Sequence, residues 1–284
     1  MAPTIVLITG ANRGIGKGLL ELYLLKPNHL VIAANRDPED PTSKELGELP
    51  TANDTTLLVV KNDATVPTDA AAAVKFLASK DIHHIDIVIA NAGVAYVWPK
   101  VSELKTEDIQ RHIVPNVYGN VWLYQAVLPL LKRSEKKMWV SIGSSAAYLT
   151  VGVSCLLFAV SLGLANNSVR RQFFELLRNL KIRLMNVFRN MLPVSNAAYG
   201  PTKLVLHYLT KAMHIEEPEL TAFPIDPGWA QTRIGNRGAH AFGVKEAAIT
   251  TEDSVNGVIK VIDVATRETH GGKLWEYTGN QVPW

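Results

Sequence analysis

Cysteine occurs once in the 284 residues, as Cys155, so no disulfide can close within the chain and a reducing compartment is expected. No apolar run reaches the ~18 residues of a bilayer crossing, and mean hydropathy is near zero, so no integral membrane span is expected. The N-terminus enters a short apolar run without the basic flank, apolar stretch and cleavage site of a secretory signal; the expectation is a cytoplasmic protein. A net charge of +3 offers no argument for a nucleic-acid partner. His83 and His84 stand in a polar turn with no spaced histidine, cysteine or carboxylate cluster, so no metal site is expected. No internal repeat is visible.

With 47% hydrophobic content, the chain can bury a large core as one domain spanning 1–284. β-like runs (4–8, 30–34, 57–60, 85–90, 138–142 and 221–225) alternate with helical ones (17–25, 70–79, a long stretch within 103–132, and 202–215). That alternation predicts an α/β fold, a doubly wound parallel sheet.

Between the first strand and the first helix stands Thr9-Gly10-Ala11-Asn12-Arg13-Gly14-Ile15-Gly16. Without Cβ atoms at Gly10, Gly14 and Gly16 the backbone can turn tightly and approach a pyrophosphate, which is favourable at a helix N-terminus. The spacing is wider than the usual dinucleotide fingerprint, so its context decides. At the end of the second strand, where an acid would hold the ribose hydroxyl of NAD, stand Asn35 and Arg36, with Asp37 one place beyond. A guanidinium there can bind a 2'-phosphate, with Arg13 flanking it, which favours NADP(H); otherwise both arginines are simply solvated.

Further landmarks follow in order: Asp63 after the third strand, Asn91-Ala92-Gly93 after the fourth, Asn116 in a helix, Ser144-Ser145 after the fifth, Tyr199-x-x-x-Lys203, and Pro227-Gly228 followed by Thr232. This series resembles the short-chain dehydrogenase/reductase family, of the small single-domain (Rossmann) type, over nearly the whole chain. More narrowly, Ala197 to Lys203, Thr221 to Trp229 and the ending Gly279 to Trp284 resemble fungal reductases that act on ketones of aromatic polyketides.

Four residues apart on a helix, Tyr199 and Lys203 share a face, so the ammonium can lower the phenol from its reference pKa of about 10. Tyr199 then serves as general acid for reduction or base for oxidation, and Ser144, with Ser145 as its alternative, polarises the carbonyl. The resemblance implies that Lys203 also binds the nicotinamide ribose and that Asn116 holds a water in a proton relay. It places Gly10, Asn12, Arg13, Gly14, Ile15, Gly16, Asp63, Asn91 and Thr232 around the cofactor, and a homodimer or homotetramer interface on the helices carrying Asn116 and Tyr199. Asp63 has a plainer reading as a loop cap, Asn91 as a turn residue and Thr232 as a solvated one. Pro115, lacking an N–H, predicts a local kink before Asn116. Tyr96, Trp98 and Trp229 fall in segments expected near the substrate.

One segment does not fit. Ser144 and Tyr199 are 55 positions apart, and removing 151–189 restores the family's shorter spacing. The excess carries +5 while the rest of the chain carries −2, and it holds the lone cysteine. A translated intron, a cap over the substrate and a membrane-surface helix remain open. Two functions follow: an NADP(H)-dependent ketoreductase acting on a small-molecule ketone or alcohol, or a nucleotide-binding protein with little turnover because the insertion disturbs the site.

Overall fold

Ile5 and Leu7 face one side of the first strand, Val6 and Ile8 the other, and all four are buried. Alternation with both faces covered is how a parallel strand sandwiched between helices reads. The computed structural model describes residues 2–149 and 194–284; the anomalous segment 151–189 lies outside them.

Eight strands form one sheet: β1 (Thr4–Thr9), β2 (His29–Asn35), β3 (Thr56–Lys61), β4 (Ile87–Ala90), β5 (Met138–Ile142), β6 (Thr221–Asp226), β7 (Leu274–Glu276) and β8 (Gln281–Val282). Their order is β3-β2-β1-β4-β5-β6-β7-β8, parallel throughout except for the last pair. The longer helices of the described residues are α1 (Gly14–Leu24), α2 (Asp69–Ala78), α3 (Thr106–Ile113), α4 (Gly119–Lys132), α5 (Gly200–Glu216), α6 (Arg233–Ala241) and α7 (Thr251–Val264).

Leu19, Leu20 and Leu24 of α1 pack with Val258 and Ile262 of α7 on one face of the sheet. Leu77 of α2, Leu123 and Val127 of α4 and Met213 of α5 cover the other. The strand order reverses between β1 and β4, and the crevice at their carboxyl ends is where ligands bind in such sheets. Gly10 and Asn91 stand there.

The expected strands all occur, the fourth shortened to Ile87–Ala90. The expected long helix within 103–132 is instead α3 and α4 joined by a π-helical turn, Val114–Tyr118. Pro115 explains the break, because it cannot donate the backbone bond that an α-helix needs there. No helix of the described residues is long and apolar enough to cross a membrane.

Candidate active site

The glycine turn closes on itself. Gly10 and Gly14 have φ of +62° and +56°, conformations that other L-residues rarely adopt. Gly16 is needed for a different reason: a Cβ there would lie 2.2 Å from Gly10 O and 2.5 Å from Asn91 Nδ2. Asn91 Nδ2 donates to Thr9 O at 2.8 Å and Gly10 O at 3.2 Å, and its N–H donates to Thr9 Oγ1 at 3.0 Å. Asn91 thus ties the ends of β1 and β4 together beside the crevice. No side chain caps the start of α1, and no acid occupies its first turn. Free of a cap and approached by glycines, this terminus fits a dinucleotide phosphate. Ile15 packs into the core beneath, and Thr232 lies across from Gly14, where a methyl group would come within 3.4 Å of Thr232 Cγ2. Thr232 Oγ1 also accepts from Gly235 N–H at 3.1 Å, capping α6.

Asn35 is corrected. It is fully buried, and its Oδ1 accepts the Ala11 N–H at 2.8 Å while Nδ2 donates to Ser43 Oγ at 3.2 Å. The amide thus links the glycine turn to Ser43, and Asn35 supports the groove from behind. Arg36 and Arg13 are exposed and share one neighbour: the carboxyl of Asp40 is held below its ordinary range by hydrogen bonds from Thr42, with both guanidiniums adding to the effect. Asn12 Nδ2 donates to Thr42 Oγ1 at 2.6 Å, closing this corner. Two guanidiniums at the rim of the groove fit a 2'-phosphate. Asp63 caps its loop, its Oδ1 accepting from Thr65 N–H and Oγ1 at 2.8 Å each.

Ser144 leads out of β5, and Tyr199 and Lys203 lie at the start of α5. The Ser144 hydroxyl lies beside the Tyr199 phenol, where it favours the ionised form. Lys203 Nζ lies 5.9 Å from the Tyr199 ring centre and donates to Ile142 O at 2.6 Å. The phenol does not follow the expected lowering: desolvation pushes Tyr199 up to about 12, outweighing the Ser144 hydroxyl, and the nearby Asp226 charge adds to the rise. Burial lowers Lys203 to about 8. Desolvation penalises both charged forms, so the phenol stays protonated at neutral pH.

Asn116 sits in the π-helical turn, fully buried. Its Oδ1 accepts from Val94 N–H at 2.7 Å, and its Nδ2 donates to Val94 O at 2.9 Å and Thr202 Oγ1 at 3.0 Å. A methyl group on Gly93 would approach both Asn116 Oδ1 (3.2 Å) and Lys203 Nζ (3.7 Å), so the two side chains flank that glycine.

The loop after β4 is fixed from several sides. His112 Nε2 accepts from Tyr96 N–H at 2.7 Å, Arg237 donates to Ala95 O and Tyr96 O, and Ala197 N–H donates to Pro99 O at 3.1 Å, two residues before Tyr199. Trp98, carried by this loop, meets Phe242 edge-on at 6.0 Å, and Trp229 meets the same ring at 6.1 Å. The Arg237 guanidinium lies 5.7 Å from the Trp98 ring centre. Trp98 and Trp229 thus come together, with Phe242 as a third wall that the sequence reading missed.

Two more residues escaped the sequence reading. Asp226 ends β6, buried, its carboxylate accepting from Gly228 N–H at 3.1 Å and Tyr148 OH at 3.3 Å; burial pushes its pKa up despite these bonds and the nearby Ser145. His207, also buried, follows Lys203 by one helical turn and accepts the Ser144 N–H on Nε2 at 3.2 Å. Its spacing of four from Lys203 was legible; its partner, 63 positions away, was not. No group of three or more metal-ligating side chains occurs among the described residues.

The short chain dehydrogenase family model matches residues 4–156. The chain is 36% identical over 285 residues to the norsolorinic acid ketoreductase nor1 of Dothistroma septosporum, covering 99% of this chain and 92% of that protein. It is 33% identical over 287 residues to the norsolorinic acid ketoreductase of Aspergillus parasiticus, covering 99% and 91%. Among solved structures, NADPH-bound carbonyl reductase from chicken fatty liver superposes with a TM-score of 0.74 at 22% identity, and carbonyl reductase Sniffer of D. melanogaster with 0.71 at 17%, each over the full length of both chains. At such identities the structures show a shared fold, whereas the sequence matches settle descent: this chain belongs to the short-chain dehydrogenase/reductase family of oxidoreductases.

Proposed function

We propose that the protein is an NADP(H)-dependent ketoreductase that reduces a ketone on an aromatic, polyketide-type secondary metabolite to an alcohol. One arrangement carries the reading: Ser144 beside Tyr199, with Lys203 one turn along the helix that Tyr199 begins. When bound, NADPH supplies the hydride. Ser144 Oγ donates to the substrate carbonyl oxygen and holds it in place. Tyr199 gives its phenolic proton to that oxygen as negative charge develops on it, and a phenol held at about 12 is fully protonated and available at neutral pH. Lys203, charged below about 8, stabilises the charge left on Tyr199 and takes the ribose. Asn116 orders the loop beside Lys203, and the proton relay through a water is assigned to it.

The arginine pair at Asp40 supports the 2'-phosphate cofactor, as does the NADPH bound to the chicken carbonyl reductase. Gly10, Asn12, Gly14, Ile15, Gly16, Asp63, Asn91 and Thr232 complete the proposed cofactor contacts. The relatives' names and the wall of Trp98, Trp229 and Phe242 support a flat aromatic substrate, which such rings receive by offset stacking. Exposed Leu204, Val205 and Tyr208 on α5 support a homodimer or homotetramer.

The test is NADPH oxidation with a panel of polycyclic aromatic ketones. Tyr199→Phe keeps the ring and removes the proton, so turnover should fall below about a tenth while NADPH binding stays intact. Retained turnover removes Tyr199 as the acid. If the wild type binds NADPH and reduces none of the ketones, the reading as a nucleotide-binding protein with little turnover replaces this one.

A further inference from the structure

We propose that His207 is a positioning residue: as a neutral imidazole it clamps the main chain of Ser144 and so aims the Ser144 hydroxyl at Tyr199. The inference rests on the carbonyl-reduction reading, which gives Ser144 and Tyr199 their work.

A backbone N–H can only donate. Because the Ser144 N–H points at His207 Nε2, 3.2 Å away, that nitrogen must offer its lone pair and the ring proton must sit on Nδ1. The ring is 2% exposed, and burial together with the charge of Lys203, one turn back on α5, pushes its pKa down to about 3. Tyr148 lies tilted against it at 6.3 Å, and Trp284 meets it edge-on at 6.5 Å while also lying 4.3 Å from Lys211 Nζ. These rings border the imidazole on two sides. Gly143 leaves room for it: a Cβ there would lie 2.4 Å from His207 Nε2.

The bond matters because it holds the amide of Ser144 itself, in a turn fixed farther on by Tyr148 and Ser145 against Asp226. Gly143 N–H is held by Ile225 O at 2.7 Å, and Ser144 Oγ accepts from Ala146 N–H at 3.2 Å. The Ser144 amide is the link between them, and His207 ties it to the helix that carries Tyr199 and Lys203. Proton donor, ribose ligand and clamp therefore recur at intervals of four on one face of α5, which fixes Ser144 relative to Tyr199 through one rigid element.

The experiment compares wild type with His207→Phe, which keeps a flat ring and removes the acceptor, and His207→Gln, which can return an acceptor oxygen near the place of Nε2. Three quantities are read: the His207 tautomer by nitrogen NMR, hydrogen exchange of the Ser144 amide, and kcat beside KM for NADPH. The wild-type ring should be the Nδ1–H tautomer and should not titrate between about pH 5 and 9. In His207→Phe the Ser144 amide should exchange about tenfold faster and kcat fall by about tenfold or more, with KM for NADPH unchanged. His207→Gln should recover most of the exchange protection and of kcat. A cationic or Nε2–H ring in the wild type, or an unchanged Ser144 amide in His207→Phe, overturns the clamp; so does a glutamine variant that keeps the amide protected yet turns over no faster than the phenylalanine one. Tautomer and exchange are independent of any substrate, so they decide the clamp even if no ketone is reduced and the proposed function fails.

Discussion

Replacing Gly16 by alanine tests the idea that the cofactor groove depends on helix α1 touching the end of β1. The added methyl would stand 2.2 Å from Gly10 O and 2.5 Å from Asn91 Nδ2. Neither atom can easily yield: Gly10 N–H is bound to Ala34 O at 2.9 Å, and Asn91 is fastened to Thr9 and Gly10. Overpacking against fixed backbone costs about 2–3 kcal/mol. In a chain of this size that corresponds to a fall of roughly 4–10 °C in Tm. Two controls grade the effect. At Gly18 the new Cβ would lie 2.9 Å from Val255 Cγ1, a side chain able to shift, so the cost should stay below about 1 kcal/mol. At Gly47 it would meet nothing within 4 Å, so the change should be neutral or stabilising by about 0.4–1 kcal/mol through the unfolded chain. Calorimetry ranks the three, and NADPH titration should show affinity falling by about tenfold or more in Gly16→Ala alone, because the displaced Gly10 peptide lines the groove. If Gly16→Ala melts and binds like Gly47→Ala, the contact does not govern the site.

Arg36→Asp removes a partner of the 2'-phosphate and adds a repelling charge, so a preference for NADPH of about tenfold, 1.4 kcal/mol, should reverse toward NADH; equal dissociation constants in the wild type would refute the assignment. Since Lys203 loses its charge above about 8, kcat/KM for NADPH, which reports the free enzyme, should decline as pH rises past that value, and a profile flat through about pH 9 contradicts it. Deleting Val151 to Arg189 should leave a folded protein that binds NADPH, because a long insertion at a connection adds little loop-closure cost; an aggregated product that binds no cofactor makes the segment integral.

What the sequence determined by itself was whatever depends on neighbours along the chain. Short continuous apolar runs set six strands, glycines between a strand and a helix set the groove, and a spacing of four put Tyr199 and Lys203 on one helix face. Short β7 and β8, at three and two residues, lie below the length at which a pattern shows, and they form because β6 and then β7 offer an edge. The tertiary structure decided everything that depends on which distant group a polar atom meets. The Asn35 amide, at the end of β2, meets the Ala11 N–H, 24 positions away. Asn116 is held by Thr202 across 86 positions, and Ser144 by His207 across 63. Tyr199 illustrates the difference most clearly: helical spacing promised a lowered phenol, yet burial raises it, because desolvation arises from all the atoms packed around a group whereas spacing reports only its neighbours on one helix.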